Sequence, residues 1–379
     1  MQSYVGSQVS TALENKFGTR VSVEKIDIGI FNRLIIDNVQ MYDHEEERML
    51  QAYRLSVRID LLDLLQGKIR ISSAQIFGLN ANLYQQTRQS KPNFQFILDS
   101  LASKDTTSHS PINLQINSLI IRHGSVQWNK RFIAQTPGLF TLDHINIHDI
   151  SAHIIVNALE EDSANINIKR LAMEEASGLK LKDLNFKVKA NHRQAQLTDF
   201  HICLPHTTID IPQISAQYRF ENGKLLMPTL EYEGEIAPSA VTLNDIAALI
   251  PELYKVQSTV HISTSFNGTS TSCRIQHLNI KTDANEVVVD ASGFVRDWSY
   301  KPKWNAEIRQ LRITDKGISL IANNSGAHFK IPDMIKRLGN IAYHGQIGGY
   351  GNYLAAKGVL TTSQGLVNLS VGKHNQQFN

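Results

Sequence analysis

Cysteine is nearly absent: the chain holds Cys203 and Cys273 and no other. That count excludes a disulfide framework and a four-cysteine zinc site. Charge is sparse as well, 19% of 379 residues with a formal net charge of +3, which leaves no basic footprint for nucleic acid. No run approaches the ~18 apolar residues that a membrane-crossing helix needs. Gln2-Ser3-Tyr4-Val5, after Met1, lacks the basic and apolar stretches of a secretory signal. The phosphate-cradling loop G-x-x-x-x-G-K-[ST], the G-x-S-x-G nucleophile elbow and the H-E-x-x-H zinc helix are all missing. No cofactor is expected, and an enzyme is not.

Apolar residues are present in ordinary amount, 42%, so global disorder is not expected. Residues 2–17 carry helical periodicity, with Val5, Val9, Ala12, Leu13 and Phe17 on one face and Gly18 ending the run. The pattern then changes to period 2. Leu55, Val57, Ile59 and Leu61 alternate with Ser56, Arg58 and Asp60; Phe186 and Val188 alternate with Lys187 and Lys189. One dry and one charged face predicts antiparallel strands, with the lysines simply solvated. Short helical patterns interrupt them at Phe94 to Leu101, Leu243 to Tyr254 with Pro251 bending it, and Pro332 to Leu338. Residues 103–111 read as a loop and a soft boundary.

A six-residue word, apolar-x-x-apolar-x-apolar, recurs through the strand pattern. Copies begin at Val23, Ile36, Leu50, Ile116, Leu142, Leu181, Leu197, Ile211, Met227, Ile275 and Ile308. Neighbouring copies at 181, 197, 211 and 227 are spaced as one strand plus one turn of a meander. Positions three apart lie on opposite faces of a flat strand, so a bulge or bend at the two middle residues is needed to reunite them. Strands bent at similar places stack into a trough. A meander of ~20 strands at ~4.8 Å spacing runs roughly 95 Å, too far for one compact core.

An apolar face on such a sheet either closes as a sandwich or stays open as a trough, and alternation alone does not choose between them. An open trough suits acyl chains, which gain ~0.8 kcal/mol per buried methylene without directional demands. The last two apolar positions of each word are then the candidate lipid-groove residues. They are Ile26, Ile28, Val39, Met41, Leu119, Ile121, Ile145, Ile147, Leu184, Phe186, Phe200, Ile202, Leu230, Tyr232, Leu278, Ile280, Leu311 and Ile313.

Other constellations are weaker. His144 and His148 have the four-residue spacing of a helical zinc pair, but they alternate with Ile145 and Ile147. The segment reads as a strand with both imidazoles toward water, and a metal is not expected. Asp43-His44-Glu45-Glu46-Glu47 and Glu160-Glu161-Asp162 read as solvated turns. Gly348-Gly349-Tyr350-Gly351 lacks the strand-to-helix context of a dinucleotide loop.

The stretch Phe17-Gly-Thr-Arg-Val-Ser-Val-Glu-Lys-Ile26 through Ile35-Ile-Asp-Asn-Val39 resembles the start of the periplasmic part of TamB and AsmA-like proteins. Arg54 through Ile71 resembles the second phrase of that module. Gly345, Ile347, Gly349, Leu354, Gly358, Leu360, Thr362 and Gly365 are similar to the glycine-punctuated repeats of the TamB class. The wording is closest to forms found in Bacteroides-like bacteria. The resemblance covers most of the chain and is strongest at 17–97 and 331–365.

The resemblance implies an all-β fold, an elongated antiparallel β-taco with an N-terminal amphipathic helix and a few short helices. It divides the chain into a juxtamembrane helix (1–17), an AsmA-like β module (18–102), the loop 103–111 and continuing groove repeats (112–379). It also implies a periplasmic lipid-transfer conduit, anchored in the inner membrane, that carries phospholipid acyl chains to the outer membrane. The alternative is a scaffold for outer-membrane protein assembly with a BamA-type barrel partner. The anchor and the barrel-engaging C-terminal region of such proteins are expected to lie outside the present sequence.

Overall fold

The computed structural model describes residues 10–11, 13–29, 33–59, 69–102, 112–160, 163–221, 223–250, 253, 258–324, 337–351 and 353–374. The period-2 segments are strands. The first nine are β1 (Val21–Ser22), β2 (Lys25–Gly29), β3 (Arg33–Tyr42), β4 (Arg48–Ile59), β5 (Ile69–Gln85), β6 (Ile112–Lys130), β7 (His144–Glu160), β8 (Ser163–Glu175) and β9 (Lys180–Ala190). There follow β10 (Gln194–Cys203), β11 (Thr208–Gln217), β12 (Phe220–Glu221), β13 (Lys224–Leu225), β14 (Glu231–Thr242), β15 (Thr259–Thr269) and β16 (Ser272–Thr282). The last are β17 (Val287–Arg296), β18 (Lys303–Ile313), β19 (Ile341–Tyr350), β20 (Tyr353–Thr362) and β21 (Gly365–His374).

All but β12 and β13, which form their own hairpin, belong to one 19-stranded, mostly antiparallel sheet that does not close into a barrel. The chain groups into two compact units, Met1–Leu159 with Ile166–Asn185, and Glu160–Asn165 with Phe186–Asn379. The strands on either side of residues 103–111, which lie outside the described residues, belong to the same unit.

Helix is confined to short pieces. Residues 13–17 are helical and Gly18 closes them at φ +67°, donating its N–H to the Glu14 carbonyl at 2.7 Å. The rest of the expected N-terminal face, Val5, Val9 and Ala12, lies outside the described residues. Helix α1 (Gln95–Ala102) matches the Phe94 to Leu101 pattern, and α2 (Asp315–Asn324) follows β18. Of the pattern from Leu243, Leu243–Ile246 is a 3-10 turn and not the first turn of an α-helix, while Pro251 and Tyr254 lie outside the described residues. Most of the pattern beginning at Pro332 lies outside the described residues.

One connection also departs from a pure meander. β5 and β6 run parallel, with Ile76 opposite Ile121 and Leu83 opposite Trp128. A parallel return needs a long crossover, and residues 86–111, which include α1, supply it. A polar knot ties this crossover to the turn between β3 and β4. Asp43, expected to be solvated, is buried. Its Oδ1 accepts the Glu45 and Glu47 backbone N–H groups at 3.0 and 2.9 Å, and its Oδ2 accepts the Asn93 amide at 3.0 Å. Arg131 then lies over the Tyr84 ring at 3.5 Å and donates to both Glu47 oxygens at 2.9 and 2.7 Å.

Sequence cannot separate a solvated acidic turn from one whose first carboxylate satisfies its own backbone. The hydrogen bond from Arg131 holds the Glu47 carboxyl below its ordinary value. A depressed folded value stabilises the fold above the ordinary carboxylate range, and that stabilisation is lost as pH falls through the lowered value. Glu47→Gln is therefore expected to flatten the acid limb of the stability profile below about pH 4.5. Urea denaturation at stepped pH measures this; an unchanged limb would contradict it.

The repeated bend is visible in the backbone. Asn38, Gly78, His123, Asp149 and Asp199 have φ of +51°, +63°, +53°, +54° and +54°. These are residue types that tolerate or favour the left-handed region. All but His123, which is followed by Gly124, are the second of two residues separating apolar positions three apart, as in Ile36-Asp-Asn-Val39 and Ile76-Phe-Gly-Leu79. In β15 to β19 register shifts between Ile275 and Leu278 and between Ile308 and Leu311 produce the same reunion. The word and the bend do not always coincide. In the word from Leu50 the bend leaves Tyr53 exposed, in that from Leu142 it falls later, at Asp149, and the word from Met227 opens with a 3-10 turn. The middle residue's willingness to adopt positive φ decides the place, and apolar spacing carries no record of it.

Candidate functional site: a one-sided apolar face

In the first unit the bends align apolar residues into cross-strand rows on one face. Ile26, Ile36, Leu55, Ile76, Ile121 and Ala152 stand opposite one another from β2 to β7. Beside that row run Leu34, Val57, Ala74, Leu119 and Ile154, where Val57 and Ala74 form a buried cluster with Leu34, Leu55 and Leu119 packed on it. Met41, Leu50, Ala81, Val126 and Ile147 form a third row, Val39 with Ala52 and Leu79 a fourth, and Leu83, Trp128 and Ile145 a fifth. Of the candidate groove residues, Ile26, Val39, Met41, Leu119, Ile121, Ile145 and Ile147 are on this face. Ile28 lies opposite Leu34 in register, but its side chain lies outside the described residues.

The second unit repeats the arrangement. Ile262, Ile280, Val289, Leu311, Tyr343, Leu360 and Val367 make one row from β15 to β21. Thr264, Leu278, Ala291 and Ile308 make the next, and Ile313 sits between Val287 and Ile341. Phe200 pairs with Ile211 and Ile202 with Ile209, and Phe186 stacks on Phe200 with ring centroids 6.1 Å apart. Tyr232 stands opposite Ala216 and Gly268. Leu184, which belongs to the first unit, is half-buried on β9. Leu230 is not in a strand; it terminates the 3-10 turn Met227–Thr229.

Glycines let aromatics lie flat on this face. A Cβ added at Gly268 would sit 2.6 Å from the Tyr232 hydroxyl oxygen, and one at Gly349 2.7 Å from the Trp304 ring nitrogen. Burial, with a hydrogen bond to the Cys273 thiol adding to it, pushes the Tyr232 hydroxyl up to about 12. Between these aromatics an almost wholly apolar cavity of about 210 Å³ is lined by Ile275, Leu278, Ala291, Trp304 and Ala306 among others.

The face is only partly shielded. Among the described residues the only other sheet is the small β12–β13 hairpin. Most row residues are half-buried, and among the described residues Met49 is the only large hydrophobic side chain that is fully enclosed. At β20 and β21 the face is open, with Leu354 and Val371 more than half exposed. On the reverse side Lys180, Lys182, Lys187 and Lys189 are exposed, so the two faces differ sharply in polarity.

The histidine pair is not a metal centre in shape. His148 is exposed with Nδ1 3.0 Å from Asp149. His144, expected in water, is half-buried: its Nδ1 lies 3.3 Å from the Asn129 amide oxygen and its Nε2 is buried without a partner. The covering there is tertiary, which alternation does not report. Among the described residues no three His, Cys, Asp or Glu side chains converge as metal ligands. Spacing likewise gave no sign of the glycine–aromatic pairs; the Gly345, Gly349 and Gly358 pattern was the available signal.

Compared with known proteins, the chain matches no family model, no curated protein and no solved structure.

Proposed function

We propose that this protein is a conduit for phospholipid acyl chains, which lie on the apolar face while headgroups remain in water. The observation that carries the reading is the continuity of apolar rows from strand to strand on a face left half-open. A closed core would have enclosed those side chains, and a bilayer-facing barrel would have placed them outward. Each methylene laid on the face gains ~0.8 kcal/mol, so a 16-carbon chain gains on the order of 10 kcal/mol at most. Because neighbouring rows are chemically alike, sliding from one to the next costs little. The resemblance to the TamB class supports a periplasmic setting with an inner-membrane anchor for such a conduit.

Organic extraction of the purified protein, followed by mass spectrometry, is expected to recover phospholipid in defined ratio to protein. A lipid-free protein that also fails to take up labelled fatty acid would overturn the reading. The competing role, a scaffold for outer-membrane strands with a BamA-type barrel, draws on β21, which pairs only with β20 among the described strands. It predicts crosslinks from β21 to unfolded barrel strands and no dependence on the polarity of the apolar face.

A further inference from the structure

The connections at one end of the second unit's strands form a continuous rim. Gln194, Gln217, Glu231 and Thr269 stand in register as the end row on β10 to β15, as do Ser272, Arg296, Lys303, Tyr350 and Tyr353 on β16 to β20. The connections beyond that row are hydrogen-bonded to one another. Tyr218 donates its backbone N–H to the Arg193 carbonyl at 2.9 Å, Asp297 donates to Thr271 at 2.9 Å, and Gly351 donates to Pro302 at 3.1 Å.

Large apolar and aromatic side chains stand out from this rim. Phe220 and Trp298 are each more than two-fifths exposed, Tyr300 is 83% exposed, and Met227 and Tyr350 are at least half exposed. Interleaved with them are Arg193, Arg219, Lys224, Arg296, Lys301 and Lys303, all exposed, against the carboxylates of Glu221, Glu231 and Asp297. Among the described residues no carboxylate lies within ion-pair distance of any of the six cations. Instead Arg296 lies 5.1 Å from the Phe294 ring centre and Lys301 5.4 Å from that of Tyr300. A cleft of about 790 Å³ opens on the rim between Arg193, Arg219, Tyr218 and Phe220.

The opposite rim of the same unit differs in charge and in aromatics. Among the described residues its connections carry Asp245, Asp283, Glu286 and Asp315 against Lys316 and Arg337, and its exposed large hydrophobics, Leu249 and Ile250, are aliphatic. An ordinary soluble surface would not gather the exposed aromatics and an excess of cations over carboxylates at one end. Amphipathic aromatic rings with unpaired cations are what a lipid headgroup layer accepts: the rings sit at the polar–apolar boundary and the cations meet anionic phosphates.

We propose that this aromatic, basic rim docks on the surface of a bilayer containing anionic phospholipid. The docking is a property of the rim and does not require the apolar face to carry lipid.

The test is flotation with phosphatidylcholine vesicles prepared with and without phosphatidylglycerol. Wild type is expected to float with the anionic vesicles, to be released by high salt, and to stay behind with neutral ones. A basic residue near an anionic surface is worth about fivefold in partitioning, so R193Q/R219Q/K301Q is expected to bind at least about tenfold more weakly. F220S/Y300S should also lose binding, and K316Q/R337Q on the opposite rim should bind as wild type does. Trp298 emission should shift to the blue on vesicle addition, and W298F should abolish most of that shift, separating the rim from Trp128 and Trp304 on the apolar face.

Equal binding by the rim variants, binding to neutral vesicles alone, or no binding at all would overturn the proposal. So would loss of binding in the cation variant but not the aromatic one, together with equal retention by soluble polyphosphate, which would make the rim a polyanion surface. Failure of the acyl-chain conduit is read separately, from extracted lipid.

Discussion

Leu184→Asp combined with Leu278→Asp is expected to slow phospholipid transfer between donor and acceptor vesicles by about tenfold to a hundredfold. Leu278 lines the apolar cavity with Ile275, Ala291 and Trp304, and Leu184 is half-buried on β9. A carboxylate keeps its hydration, because leaving water unpaired costs far more than any contact there returns. An acyl chain passing that point must lift three or four methylenes off the wall. At ~0.8 kcal/mol each, that raises the barrier by about 3 kcal/mol.

The control lies on the same strand. His277 is exposed on the reverse side of β16, opposite Ser265, and His277→Asp should leave transfer unchanged. Both proteins should show wild-type far-ultraviolet circular dichroism, since neither leucine is fully enclosed. Equal transfer by wild type and the double variant would remove the conduit reading. Normal transfer accompanied by lost crosslinking to barrel strands would favour the scaffold.

Gly345→Val should unfold the β19–β20 pairing locally, at a cost of about 3 to 5 kcal/mol. Gly345 has φ +147°, and a Cβ there would lie 2.4 Å from the Lys357 carbonyl oxygen and 2.5 Å from the Gly358 α-carbon. Both neighbours are backbone, so no side chain can swing away. Gly358 faces Gly345 directly across the pair, and the buried Tyr343 hydroxyl fills the space that two side chains would take. That hydroxyl donates to the Gln346 carbonyl at 3.0 Å and to the Lys357 carbonyl at 3.3 Å.

Backbone strain of this kind costs about 1–3 kcal/mol and overpacking a similar amount. Because among the described strands β21 pairs only with β20, the loss is expected to stay at that end. Hydrogen exchange of amides in β20 and β21 should accelerate by about a hundredfold or more, while exchange in β3 to β5 should not change. Uniform acceleration through both units, or none, would contradict the local account.

The strands themselves were legible in the sequence because alternation is a local property. The exposed lysines at 180, 182, 187 and 189 and the apolar partners between them needed nothing beyond period 2. α1 was legible for the same reason. The parallel pairing of β5 and β6 was not, since which strand a segment returns beside depends on the crossover and not on its own pattern. Asp43 and His144 were misplaced because their covering comes from Asn93 and neighbouring strands, distant in sequence. The aromatic, basic rim escaped too: its members are scattered from Arg193 to Tyr353 and meet only when strand register brings their turns together.

The sequence by itself determined that this chain is an all-β sheet protein with one dry face, because side-chain alternation and hydrophobicity act residue by residue. It also determined that the strands must bend, because apolar positions three apart cannot otherwise share a face. Only the tertiary structure decided where each bend falls, through residues such as Asn38, Gly78 and Asp149 that accept positive φ. Only it decided that no second large sheet covers the dry face among the described residues, and which turns stand together at its end. Those are long-range outcomes of register and pairing, and a one-residue change in either would move every side chain to the other side.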